Sequence, residues 1–212
     1  DGLDDKCVFV TDQGEVAIYE GSDPSSPFNW SLVGRYDLGK PLGKRAKMQA
    51  GGDLLIATDV GIAPLSQVIQ KDTSALSFSG ITRRIPTTWQ AEAARASGNV
   101  ELHKWTDQNL GLVVLPDAQR LLTVNLETGA WAAQRGWFGT CAAVFNGNAY
   151  VGRADNYVYR LNNSGRDDGT PFTARLCMAF TDFGDATKWI EPQMMRCAFF
   201  APSSFAFSAQ AA

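Results

Sequence analysis

The sequence has one histidine, four widely spaced cysteines and no apolar run of membrane-spanning length, and its opening is acidic. Each shortage closes off a class of protein. A lone His103 cannot build a zinc centre, which takes three or four protein ligands, and a Ser-His-Asp triad would have no other imidazole to use. In the alternation Leu102-His103-Lys104-Trp105 it reads as a surface strand residue. Cys7, Cys141, Cys177 and Cys197 form no CxxC pair and read as buried free thiols of a protein made in a reducing cytoplasm. No stretch approaches the ~20 apolar residues of a membrane helix, so no membrane-spanning segment is expected. Asp1, Asp4 and Asp5 replace the basic, then apolar, start of a signal peptide. GxSxG, Walker and GxGxxG loops are lacking as well. The sequence therefore points to no enzyme, no cofactor and no metal.

Charge is sparse too. Charged residues make up 19% of the chain and the net charge is -3, whereas a free nucleic-acid-binding domain is normally basic. Any contact with DNA has to be local. The one basic cluster is Lys40, Lys44, Arg45 and Lys47, in a Gly/Pro-rich stretch at a loop edge. It reads either as a contact with an acidic neighbour or a DNA-lined lumen, or as a solubilising loop. The loop carboxylates Asp4, Asp5, Asp167, Asp168, Asp182 and Asp185 raise a glycosidase pair or a calcium site. Ser164 to Gly169 lacks the alternating oxygen ligands and closing Glu of a calcium loop, and solvated turns explain it better. The sequons at Asn29 and Asn162 carry no meaning without a secretory route. Phe28, Trp30, Trp131, Trp137 and Phe138 are the loop aromatics; they fit as wedges between packed sheets, or as anchors for a partner or a sugar.

What the sequence does have is repetition. At 212 residues, 45% of them hydrophobic, it can bury a sizeable core. Four segments share one pattern of strand, polar turn with Asp, and second strand. They start at Cys7, Asp53, Leu110 and Asn148, and their turn aspartates are Asp12, Asp59, Asp117 and Asp155. A short polar side chain suits such a turn because it can bond its own backbone and tolerates left-handed geometry. Leu54 to Ala57 and Leu112 to Leu115 are continuously apolar, which predicts burial on both faces, as when sheets stack. The turn spacings of 47, 58 and 38 residues match a propeller-type unit of several strands. The third unit reads as four strands: Leu102 to Trp105, Leu110 to Leu115, Arg120 to Asn125 and Ala130 to Gln134. The fourth reads as Thr140 to Phe145, Ala149 to Arg153, Tyr157 to Leu161 and Phe172 to Ala179, with Asn146-Gly147 as a strong hairpin turn. The fold class expected is thus all-β, a partial β-propeller of about four blade-like units; an irregular β-sandwich is the alternative.

The 58-residue spacing implies an insertion over about 66–100, holding one short helix that Thr88 caps and Gly98 ends. That helix reads as a decoration on the rim. Blades are expected over 1–187. From Lys188 to Pro192 the chain leaves for exit strands of a neighbouring β domain, 188–212. Asp1 stands one short loop before a strand, and Ser203 to Ala212 open a new apolar strand, so the sequence reads as a piece of a longer polypeptide.

Three motifs in order carry a family resemblance. They are T-D/N-x-G-E-V-A-x-Y-x-G at Thr11 to Gly21, D-P-x-x-P-x-x-W-x-L-V-G-x-Y at Asp23 to Tyr36, and G-x-P-L-G…G-G-D-L-x-x-x-T-x-x-G-x-x-P-L-S at Gly39 to Ser66. Together they resemble the tail-tube (nozzle) proteins of short-tailed phages, and P-Q-M-M-R at Pro192 to Arg196 fits the exit from that family's propeller. The resemblance implies a virion structural protein, assembled in the host cytoplasm into a six-copy ring of the tail. It further implies a head-to-tail adaptor and tail fibres or spikes as partners, and genome DNA passing transiently through the lumen. It carries over no catalytic residue. Lys40, Lys44, Arg45, Lys47, Phe28, Trp30 and Trp137 are the interface or lumen candidates. A glycan- or receptor-binding propeller module, using Trp30 and Trp137, is the second expectation.

Overall fold

In the computed structural model the chain divides into two compact units, residues 1–165 and 166–212. The structure describes residues 6–69, 80–134 and 139–161, all in the first unit. The expected strand Phe172 to Ala179, the exit strands 188–212 and the loop aspartates Asp4, Asp5, Asp167, Asp168, Asp182 and Asp185 lie outside the described residues.

The described strands form four antiparallel sheets, each completed before the next begins. Sheet 1 holds β1 (Lys6–Val10), β2 (Glu15–Gly21) and β3 (Trp30–Asp37); sheet 2 holds β4 (Lys47–Ala50), β5 (Asp53–Ala57) and β6 (Ile62–Pro64). Sheet 3 has β7 (Glu101–Trp105), β8 (Leu110–Leu115), β9 (Arg120–Asn125) and β10 (Trp131–Gln134). Sheet 4 has β11 (Cys141–Phe145), β12 (Asn148–Gly152) and β13 (Val158–Arg160). Within every sheet each strand pairs with the one before it in the chain. The all-β reading and the strand positions of the third unit therefore hold.

All four repeated aspartates sit in hairpin turns, between β1 and β2, β5 and β6, β8 and β9, and β12 and β13. The chemistry of the turns differs from one to the next. At Asp155 the side chain accepts from the Tyr157 amide at 3.1 Å, the local bond that favours Asp in turns. The Asp12 turn is closed by its neighbour, where Thr11 Oγ1 accepts from the Glu15 amide at 3.0 Å. Asp117 reaches away from its own turn to take bonds from the Ser97 amide and hydroxyl, both 2.7 Å, and from Asn99 at 3.0 Å. The Asn146-Gly147 turn has positive φ at both residues (47° and 74°), the backbone that matches strand twist in a two-residue hairpin.

The core explains the apolar runs. Side chains alternate across a strand, so a strand with apolar residues at every position needs two covered faces. Leu55 and Ala57 of β5 pack toward sheet 3, together with Val113 and Leu115 of β8. Ile56 turns the other way and meets Val16, Ile18 and Leu38 of the sheet 1 region. Leu112 and Val114 of β8 face Ala142, Ala149 and Val151 of sheet 4. The four sheets therefore stack face to face in chain order, with sheets 2 and 3 in the interior. A two-sheet sandwich would leave each sheet a solvated face, whereas the central strands of sheets 2 and 3, β5 and β8, are covered on both faces. The first strands of sheets 2, 3 and 4 (β4, β7 and β11) run side by side along one edge of the stack. A parallel bridge pairs Arg45, just before β4, with Glu101 of β7.

The insertion departs from expectation in two ways. Between β6 and β7 lie α1 (Leu65–Val68), a 3-10 turn at Ile81–Arg84 and α2 (Pro86–Ala93). Thr88 does not cap α2. The helix starts three residues earlier because Pro86, with its fixed φ and missing N–H, occupies the first helical position behind Ile85. It ends at Ala94, before the left-handed Gly98. Nor is α2 a rim decoration. Trp89 is 1% exposed inside the core between sheets 2 and 3, and its indole N–H donates to the Thr58 carbonyl at 2.9 Å.

Candidate functional site

Three groups of residues could carry function: the edge where the first strands meet, the basic segment leading into it, and the outer face of sheet 1.

At the strand edge the centre is Glu101, a buried carboxylate at the start of β7. Its Oε1 accepts from Arg45 Nη1 at 3.2 Å, and its Oε2 lies 3.1 Å from both His103 Nε2 and the Ala142 amide of β11. One side chain thus joins the lead-in to sheet 2, its own strand and sheet 4. Burial pushes the Glu101 carboxyl up, but the His103 hydrogen bond, the Ala142 amide and the His103 and Arg45 charges outweigh it and hold the group below its ordinary value. His103 is half-buried and engaged here, so it is not the free surface residue its alternation suggests. Neither Arg45 nor Glu101 was legible as a pair, because they stand 56 residues apart. The one local signal was Glu101 and His103 at i and i+2, a spacing that puts both on the same strand face.

The basic segment lies next to this cluster. Lys40, Lys44, Arg45 and Lys47 are all exposed. No acidic residue occurs between Asp37 and Asp53, so the stretch is cationic despite the net negative chain. Arg45 is the member tied to Glu101. Lys47 continues into β4, beside β7 with its half-buried His103 and Lys104. The structure therefore puts the four basic residues at one edge of the stack, leading into the meeting strands.

Sheet 1 presents an uncovered aromatic face at one end of the stack. Tyr19 stacks on Trp30 with ring centroids 5.6 Å apart and planes 10° from parallel, and Phe9 meets Tyr19 edge-on at 5.7 Å. Phe9 and Leu32 are about half exposed, and Phe28 is 96% exposed in the β2–β3 loop. Ile18 pairs with Gly34 and Tyr19 with Leu32, which makes Val33 the extra residue of a bulge in β3. The loop ahead of Trp30 is set by Asp23, whose carboxylate accepts from the Ser25 hydroxyl and amide at 2.7 and 2.9 Å. Those bonds lower its titration range, the Ser25 hydroxyl contributing most. Trp131 is half-buried, its indole N–H donating to the Ile81 carbonyl, while Trp137 and Phe138 lie outside the described residues. The basic cluster and the aromatic pair Phe28 and Trp30 belong to separate parts of the fold, one at the strand edge and the other on sheet 1.

Cys7 is half-buried and Cys141 exposed, both as free thiols, so Cys141 is not the buried thiol expected. Among the described residues no group of three or more His, Cys, Asp or Glu side chains could hold a metal ion. No described helix is long and apolar enough to cross a membrane. No protein-family model matches the chain, and no curated protein matches it.

Proposed function

We propose that this chain is a section of a β-propeller in a structural protein of a short-tailed phage tail, the nozzle or tail tube. In this reading it is a non-catalytic part of a ring of about six copies closed by repeated head-to-tail contacts. The ring is assembled in the host cytoplasm and carried in the virion tail. Genome DNA crosses its lumen, and the head-to-tail adaptor and fibres or spikes attach to it. The observation that carries the reading is the stack itself. Four small antiparallel sheets follow one another face to face in chain order, with the first strands of sheets 2, 3 and 4 gathered at one edge, as blades gather around an axis. Stiff sheet stacks suit a body under mechanical load, and the ordered motifs from Thr11 to Ser66 supply the family. Lys40, Lys44, Arg45 and Lys47 are then lumen or interface residues.

Native mass spectrometry and negative-stain imaging of the protein from its natural source test this. Rings of about six copies, associated with phage tails, are the expected result; a monomer that never joins a virion refutes it.

The aromatic face of sheet 1 favours a second reading, a glycan- or receptor-binding module. The Tyr19–Trp30 stack and exposed Phe28 offer flat apolar surface of the kind a sugar ring lies against. On a glycan array this reading predicts binding that Trp30→Ala abolishes, whereas the tube reading predicts none.

A further inference from the structure

The edge where β4, β7 and β11 meet contains a charged group with no part in either reading. We propose that Glu101 is an acid-sensitive clasp that holds sheet 4 on the stack and releases it when the carboxylate takes up a proton.

The geometry is specific to this residue. Three donors converge on one carboxylate: the Arg45 guanidinium from before β4, His103 from β7, and the Ala142 N–H from β11. Other charged groups on these elements, Lys47 and Lys104, are cationic. Cys141 on β11 adds an exposed thiol and no further carboxylate. An ionised carboxylate satisfies all three donors because it only accepts. Once protonated, one of its oxygens becomes a donor facing donors, and the buried N–H of Ala142 loses an ionic acceptor.

Sheet 4 depends on this bond more than sheet 2 does. Sheets 2 and 3 are also tied by main-chain bonds that pH does not touch, Leu102 N–H to Arg45 O at 2.9 Å and Val100 N–H to Leu42 O at 3.0 Å. Among the described residues, the other polar tie between sheets 3 and 4 is a neutral bond, from the Trp105 indole to the Gly147 carbonyl at 2.7 Å. The direction of the pH effect follows from the lowered folded-state pKa. The clasp is fully effective above the ordinary glutamate value and is lost as pH falls through the lower folded value.

Sheet-resolved hydrogen exchange between about pH 7 and pH 3, corrected for intrinsic rates, tests the proposal. In the wild type, protection of sheet 4 amides such as Leu161 and Thr140 should stay constant from neutral pH down to the ordinary glutamate range. It should then fall about tenfold or more below the glutamate range, while sheet 1 amides such as Leu38 stay constant. Glu101→Gln should show the released level of sheet 4 at every pH. Asp155, in the β12–β13 turn of sheet 4, also titrates, and Glu101→Gln leaves its response intact. If Glu101→Gln does not fold, Arg45→Gln decides the matter: with one cation removed from the carboxylate, the acid fall of sheet 4 should come at higher pH than in the wild type, and an unmoved fall would overturn the proposal. An acid fall equally large in Glu101→Gln, an unchanged sheet 4, or all sheets loosening together would overturn the proposal.

Discussion

Single side chains decide how the repeated hairpins become one body. Trp89 fills the space between sheets 2 and 3 and spends its indole N–H on the Thr58 carbonyl, so the inserted helix is part of the core. Trp89→Ala should destabilise the protein by about 3–5 kcal/mol in denaturant unfolding, the range for removing a large buried aromatic. A cost within ~0.5 kcal/mol, typical of surface positions, would return the helix to the rim. Glu92, three residues after Trp89 on α2, is likewise buried, with Oε1 2.6 Å from Arg120 Nη1. Neither role was legible. The segment WQAEAARA reads as a short polar helix, and nothing local tells a tryptophan on such a helix which sheets it will enter. The same holds for Glu101, whose partners come from distant strands. The turn aspartates, by contrast, were legible, since the signals of a turn lie within a few residues of each other.

At the level of the element, the sequence pattern was most informative where strands are buried on both faces. The run from Leu112 to Leu115 has no polar position, and all four residues are buried, Leu112 toward sheet 4 and Leu115 toward sheet 2. Leu112→Ala and Leu115→Ala should each cost about 2–5 kcal/mol, measured by chemical unfolding. A sheet with one wet face would make one substitution costly and the other nearly free. The Asn146-Gly147 hairpin was equally clear, because few residues accept positive φ twice in succession. A Cβ at Gly147 would meet only the end of the exposed Asp107 side chain, which can swing into solvent, so its left-handed φ of 74° is the main constraint. Gly147→Ala should therefore lower Tm through backbone strain, and Asp107→Ala should recover little of the loss. The helix boundary was misplaced at Thr88 because a Ser/Thr cap competes with proline, and Pro86 wins by fixing the first helical φ.

For the whole molecule, what could be read was the number of units and their order; what could not was the way the ends of the stack are completed. Period and hairpin signals are local and carry no information on what meets the outer aromatic face of sheet 1. The central claim is that these sheets are blades around an axis lined by β4, β7 and β11. Cryo-electron microscopy of the protein from its natural source addresses this most directly. The account predicts a closed circular array of blades with those three strands nearest its axis. An open stack, with β4, β7 and β11 on the outside of the particle, would contradict it.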